Sequence, residues 1–226
     1  MNFEELSARY WGRRAKDYEA ERAGSSSWMR ENNAVDAYLG EIAEGGSVVD
    51  IPVGTGRFLE LYAKHGLRPT GLDISDDMLA QAAAKARDLG LEIALRRSDI
   101  RAIEAPDASF DAALCIRFLN WVDSTGVRAA VAELARVSRS HVILGIRCYL
   151  PAGAGANGLS VWQSLRGAKK RLSRKMFGSA LVVHDKQAAE ALFAEHGLSI
   201  VESQGVNPRP DRSDYFIYLL RRDSQA

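Results

Sequence analysis

Short apolar runs and longer stretches of helical period alternate along most of this chain. Apolar or alternating runs at 47–51, 91–97, 110–116, 141–148, 198–203 and 215–220, with one more ending at Asp73, read as strands. Between them, apolar positions spaced three and four apart predict helices over 28–42, 57–65, 75–89, 126–137 and 186–196. Local punctuation agrees: serines at 25–27 and Ser75 are N-caps, and Gly66, Gly90 and Gly197 are stops. Strands that alternate with helices form a mostly parallel sheet. The near-continuous apolar run at 110–116 fits a strand covered on both faces. The last two strands, joined by a short proline-containing loop, predict an antiparallel hairpin at the sheet edge. The expected fold class is therefore α/β: a doubly wound, mostly parallel sheet of about seven strands, the last antiparallel, with helices on both faces.

Composition narrows the class without changing the fold. At 226 residues, with 46% hydrophobic and 26% charged residues, the chain reads as one globular domain over 1–226. A helical cap over 1–44 precedes the first strand, and a break in the rhythm over 149–184 reads as a lid-like insertion. A formal net charge of +1 predicts no nucleic-acid partner. The first residues lack the apolar core of a signal peptide, and no apolar run reaches the roughly 20 residues of a membrane span. Cys115 and Cys148 fall late in strand patterns and read as core residues, not as a disulfide or a metal pair. With four scattered histidines, no metal site is expected, and the default location is cytoplasmic.

The candidate chemistry centres on residues 48–73, VVDIPVGTGRFLELYAKHGLRPTGLD. A strand runs into a Gly54-Thr55-Gly56 turn, a helix follows, and a second strand ends on Asp73. This is the nucleotide-binding half of a doubly wound domain. Glycines allow the backbone to approach a ligand, and a carboxylate at the end of the second strand suits a ribose diol. The nucleoside-triphosphate loop requires a Gly-Lys-Ser/Thr ending that is absent, and the dinucleotide fingerprint requires a third glycine where Leu59 stands. S-adenosylmethionine remains, with acids expected in the glycine motif, Asp50, and at the ribose, Asp73.

At this point the chain resembles the class I S-adenosylmethionine-dependent methyltransferases, a Rossmann-like family, over roughly residues 10–202. Val48 to Gly56 is similar to the family's first motif, Gly71-Leu72-Asp73-Ile74-Ser75 with Met78-Leu79 to the second, Ser98-Asp99-Ile100 to the third and Phe110 to Ile116 to the fourth. The resemblance implies S-adenosylmethionine as cofactor, with Asp50, Pro52, Gly54, Gly56, Asp73, Ile74, Met78, Asp99, Ile100 and Ile116 around it. Asp73 is implied as the ribose ligand and Asp99 as the partner of the adenine amino group. Tyr10, Trp11 and Tyr18 resemble the aromatic lead-in that folds over the cofactor. Pro52 departs from the pattern by standing where a glycine is usual, and proline fixes φ near −65°.

Methyl transfer needs an aligned nucleophile, excluded water and sometimes a base. Arg117, Asn120 and Trp121 follow the fourth strand, where the family carries substrate-facing residues. Arg117 is a candidate to hold an anionic group. His184 is the histidine expected in a loop over the site; general base and helix capping are its two competing roles. The insertion carries Arg166, Lys169, Lys170, Arg171, Arg174 and Lys175, and no acid occurs between Pro151 and His184. That bias fits an anionic small-molecule acceptor, methylated at oxygen or nitrogen, and allows peripheral membrane contact. Methylation of RNA or protein, and non-methyl chemistry in the same fold, are the alternatives.

Overall fold

The computed structural model describes residues 24–150 and 181–223. The cap residues Tyr10, Trp11 and Tyr18 and the basic residues of the insertion lie outside them. Eight strands form one sheet. They are β1 (Ser47–Asp50), β2 (Arg68–Asp73), β3 (Ala94–Arg97), β4 (Phe110–Cys115), β5 (Ser138–Tyr149), β6 (His184–Asp185), β7 (Leu198–Gly205) and β8 (Ser213–Arg222). The order is β3-β2-β1-β4-β5-β8-β7, with two-residue β6 paired to the end of β5. The first five strands are parallel, and β8 is antiparallel to both β5 and β7. The predicted hairpin is present: β7 is the outer strand, and β8 runs between it and β5.

The helices are α1 (Ser26–Leu39), α2 (Leu59–Lys64), α3 (Asp76–Leu89), α4 (Ser124–Val137) and α5 (Lys186–Glu195). Their starts follow the capping rules: Ser25, Ser75, Asp123 and Asp185 each accept a backbone N–H of the first turn. Period-two alternation sorts the strand residues into two apolar layers. Ala113 and Cys115 face α4 and α5, in a layer that holds Leu134 and Phe193. Ala112 and Leu114 face the opposite way, into a layer with Leu39, Tyr62, Tyr215 and Ile217. Cys115 and Cys148 are free and buried, as the strand patterns predict.

One contact explains how β8 can lie so close to β5. A Cβ at Gly145 would stand 2.1 Å from Tyr215 Oη, so only glycine leaves room for that ring across the sheet. On the carboxyl side, β1 is the point where the strand order reverses. β2 and β3 extend from one side of it, β4 and β5 from the other, and the crevice that opens there is the expected ligand position in such sheets.

Candidate active site

The carboxyl ends of β1, β2, β3 and β4 surround a cavity. Its apolar walls include Ile51, Val53, Ile74, Met78, Ile100 and Ile116, and its polar or charged lining includes Thr55, Arg57, Asp73, Ser75, Ser98, Asp99 and Arg117. Phe58, Phe118 and Trp121 add aromatic surface. After β1 the chain turns through a cis Ile51–Pro52 bond, with Gly54 at φ 56° and Gly56 at φ 80°. A Cβ added at Gly54 would meet no atom within 4 Å, so the turn leaves open space beside the backbone. Gly56 serves a different purpose. Its added Cβ would lie 2.6 Å from Leu59 Cδ1 and 3.3 Å from Ala82 Cα, so it lets α2 and α3 pack and does not line the cavity.

Asp73 ends β2 and is 5% exposed. Its Oδ2 accepts the Gly54 N–H at 2.9 Å and its Oδ1 accepts the Ser75 N–H at 2.9 Å. Burial raises its pKa, while the N–H groups of Ser75, Gly54 and Ile74 oppose that rise. A carboxylate offers about four lone-pair sites, so capacity remains to accept from a ligand diol.

Several residues expected at the cofactor or at the acceptor are differently engaged. Asp50 does not line the cavity; it is buried and accepts Tyr62 Oη–H at 2.9 Å. Asp99 lines the cavity, but Arg101 holds its carboxylate, with Nη2 to Oδ2 at 2.5 Å. Arg117 also lines it, in the left-handed region at φ 65°, and its guanidinium binds Glu31 at 2.9 and 2.5 Å. Asn120 ties the 3-10 turn Leu119–Trp121 to β5 by accepting the Arg147 N–H at 2.8 Å. His184 is not among the lining residues. Its Nε2 lies 2.9 Å from the Leu119 carbonyl oxygen, which fixes that nitrogen as the donor, and burial lowers its pKa. The residue that caps α5 is its neighbour Asp185.

The residues not singled out in the sequence are Thr55, Arg57, Phe58, Ser98 and Phe118. Arg57 is the most connected. It donates to Glu31 Oε2 at 2.9 Å, to Asn32 Oδ1 at 2.9 Å and to the Trp28 carbonyl at 3.0 Å, and its guanidinium carbon sits 3.3 Å from the centroid of the Trp28 ring. Its position directly after the glycine turn was a usable signal, because a side chain there must lie beside the cavity.

A family model described as a methyltransferase domain matches residues 48–141. The phosphatidylethanolamine N-methyltransferase of Cereibacter sphaeroides is 33% identical over 168 residues, covering 74% of this chain and 76% of that protein. The chain belongs to the class I S-adenosylmethionine-dependent methyltransferases. A ubiquinone biosynthesis O-methyltransferase of Methylococcus capsulatus is 33% identical over 118 residues, half the length of each chain. In fold, the methyltransferase is similar to magnesium protoporphyrin IX methyltransferase from Synechocystis. That structure, with bound S-adenosylhomocysteine, has a TM-score of 0.74 at 15% identity over 97% of this chain and 99% of that one.

The cofactor of the family is S-adenosylmethionine, and the methyltransferase's own residues fit it. Gly54 leaves the space a cofactor backbone needs, and Asp73 retains lone pairs at the end of β2. Ile74, Met78 and Ile100 offer apolar walls to a purine. No group of three or more His, Cys, Asp or Glu that could hold a metal occurs among the described residues. Among them, too, no helix is long and apolar enough to cross a membrane.

Asp50 yields a pH prediction. Burial raises its carboxyl pKa to about 8, against the Tyr62 hydrogen bond, with the charge of Asp73 pushing the same way as burial. The folded chain therefore holds a proton that the unfolded chain releases near pH 4. The stability from this group is full below that pH and declines as pH rises toward 8, by at most about 1.4 kcal/mol per pH unit. Urea unfolding at pH 5, 6, 7 and 8 is expected to show Asp50→Asn losing part of the wild-type decline. Asp73, raised in the same direction, keeps the remainder. Parallel curves for the two proteins would remove Asp50 as the source.

Proposed function

We propose that this methyltransferase transfers the methyl group to an oxygen or nitrogen of a small molecule that carries an acidic group. The observation that carries the reading is Arg147. Its side chain is buried at the carboxyl end of β5, 2% exposed, and its Nε has no hydrogen-bond partner. Among the described residues, Nη1 reaches the Asn207 carbonyl at 3.1 Å and Ser213 Oγ at 3.4 Å. Burial, followed by the charge of Arg209, pushes its pKa down to about 10, against the nearby charges of Asp214 and Asp211. An under-bonded buried cation is costly unless an anion completes it. Arg117 and Arg147 flank the same ring, with guanidinium carbons 5.6 and 5.8 Å from the Tyr215 centroid. This puts Arg147 one aromatic ring away from an arginine of the cavity wall. The phosphatidylethanolamine N-methyltransferase that this chain resembles is named for a phospholipid substrate, which agrees with an acidic acceptor.

The bound cofactor supplies an activated methyl group on a sulfonium, so the protein's task is alignment and exclusion of water. Asp73 and the Gly54 turn hold the nucleoside end. Ile116, Phe118 and Trp121 shield the space beyond β4, and an aromatic face there favours a nearby cation. His184 and Arg117 retain supporting roles in this reading. His184 locks the 3-10 turn after β4 through Leu119, and Arg117 forms charged wall.

Transfer of labelled methyl to matched acceptor pairs, with and without a phosphate or carboxylate, tests the proposal. The acidic member is expected to win by at least tenfold in kcat/KM, and Arg147→Met is expected to erase the preference. Equal turnover of neutral members would overturn it.

A further inference from the structure

The cavity wall beyond β4 is built over a gap in the sheet. β4 pairs with β5 as far as Cys115 opposite Leu144, and β6 joins β5 at Cys148 opposite His184. Between those points no strand among the described residues lies along that edge of β5, and a buried N–H left unpaired there would be costly. Asn120 fills the place. Its Oδ1 accepts the Arg147 N–H at 2.8 Å, as the carbonyl of a neighbouring strand would. The asparagine is buried and is not among the residues that line the cavity.

The same 3-10 turn, Leu119–Trp121, is tied again from the side of β6. The Asn120 carbonyl accepts the Val182 N–H at 2.8 Å, and the Leu119 carbonyl accepts from His184 Nε2 at 2.9 Å. A turn of three residues has little stability of its own, so such bonds decide where it lies. Its residues divide the work. Leu119 and Asn120 are buried against the gap, while Phe118 and Trp121, on either side of them, line the cavity. The backbone that carries both aromatic rings is therefore held from behind, at β5 and at β6.

We propose that Asn120 is a positioning residue for methyl transfer, which acts by holding Trp121 in the cavity wall beyond β4. Alignment of the reacting atoms is the protein's main contribution to such a displacement, and a misplacement of about 1 Å costs on the order of 100-fold in rate. An asparagine suits the task because its amide oxygen accepts a backbone N–H without placing a charge in the apolar layer. The inference stands on the cavity wall and not on the acidity of the acceptor.

Fluorine NMR of the protein labelled with 5-fluorotryptophan tests it, with the Trp121 line assigned by its loss in Trp121→Phe. Trp28, whose ring stacks on Arg57 beside the glycine turn, is the internal control. Asn120→Ala is expected to split the Trp121 line, or to broaden it at least about twofold by exchange between positions of the turn, with the Trp28 line unchanged. Asn120→Asp keeps an oxygen at the same reach and should restore a single line. Calorimetry should find S-adenosylhomocysteine bound within about threefold of wild type in both variants, because Asp73 and the Gly54 turn share no partner with Asn120. His184→Leu, which removes the bond to Leu119, should disturb the Trp121 line in the same way, and it decides alone if Asn120→Ala does not fold. An unchanged Trp121 line in either Asn120→Ala or His184→Leu, equal disturbance of Trp28, no recovery in Asn120→Asp, or a larger loss of S-adenosylhomocysteine affinity would each overturn the proposal.

Discussion

Asp73→Ala is expected to raise the dissociation constant for S-adenosylhomocysteine by more than ~100-fold, because hydrogen bonds donated by a diol to a carboxylate are worth about 1.5–3 kcal/mol each. The same change should also destabilise the apoprotein. Asp73 accepts the N–H groups of Gly54 and Ser75, so it braces the glycine turn and the start of α3 before any ligand arrives. Loss of both bonds predicts about 2 kcal/mol in urea unfolding. The two readouts separate the roles. Lost stability with retained affinity would assign Asp73 to the turn alone.

Glu31→Ala is the second large effect. Glu31 is 0% exposed, and its carboxylate is shared by Arg57 and Arg117. Removing one member of a buried ionic network takes from both arginines the carboxylate they share, a loss of about 3–5 kcal/mol. Both arginines line the cavity, so the KM for S-adenosylmethionine should rise with the loss of stability. Combining Glu31→Ala with Arg117→Met should recover part of the lost stability, because the two changes act on one ion pair and are not additive. A loss under about 1 kcal/mol in urea unfolding would show that the network contributes little.

What could be read in advance follows from periodicity. The alternation of strands and helices, the caps at Ser25 and Ser75, and the antiparallel hairpin are local signals, and each is present in the structure. Two-residue β6 has no period to detect. The fifth strand was expected to begin at 141, yet Ser138 already pairs with Phe110. At the site, the glycine turn and the acid ending β2 were legible because strand ends carry function in such folds. Asp50 carried the same outward signal, but a tyrosine twelve residues later claimed it. Glu31 falls on the same helical stripe as Trp28, Val35 and Tyr38, and an acid on an apolar stripe is itself a sign of a buried partner. Which arginines answer it was not readable, since they lie 26 and 86 residues away.

The position of β8 also bears on how a new chain folds. It is the last strand in sequence, yet it is hydrogen-bonded on both sides, to β5 and to β7. Its Tyr215 hydroxyl accepts the Arg117 N–H at 2.7 Å, and Ile217 and Leu219 fill the layer beneath α1. A nascent chain that has not yet reached residue 213 can pair β1 to β5, but it leaves that layer open and the backbone at Arg117 unpinned. Sheet closure therefore waits on contacts of long sequence separation, which slows folding. The parallel half with the glycine turn forms first in this order, and the backbone of Arg117, a residue of the cavity wall, is pinned only when β8 threads in beside β5.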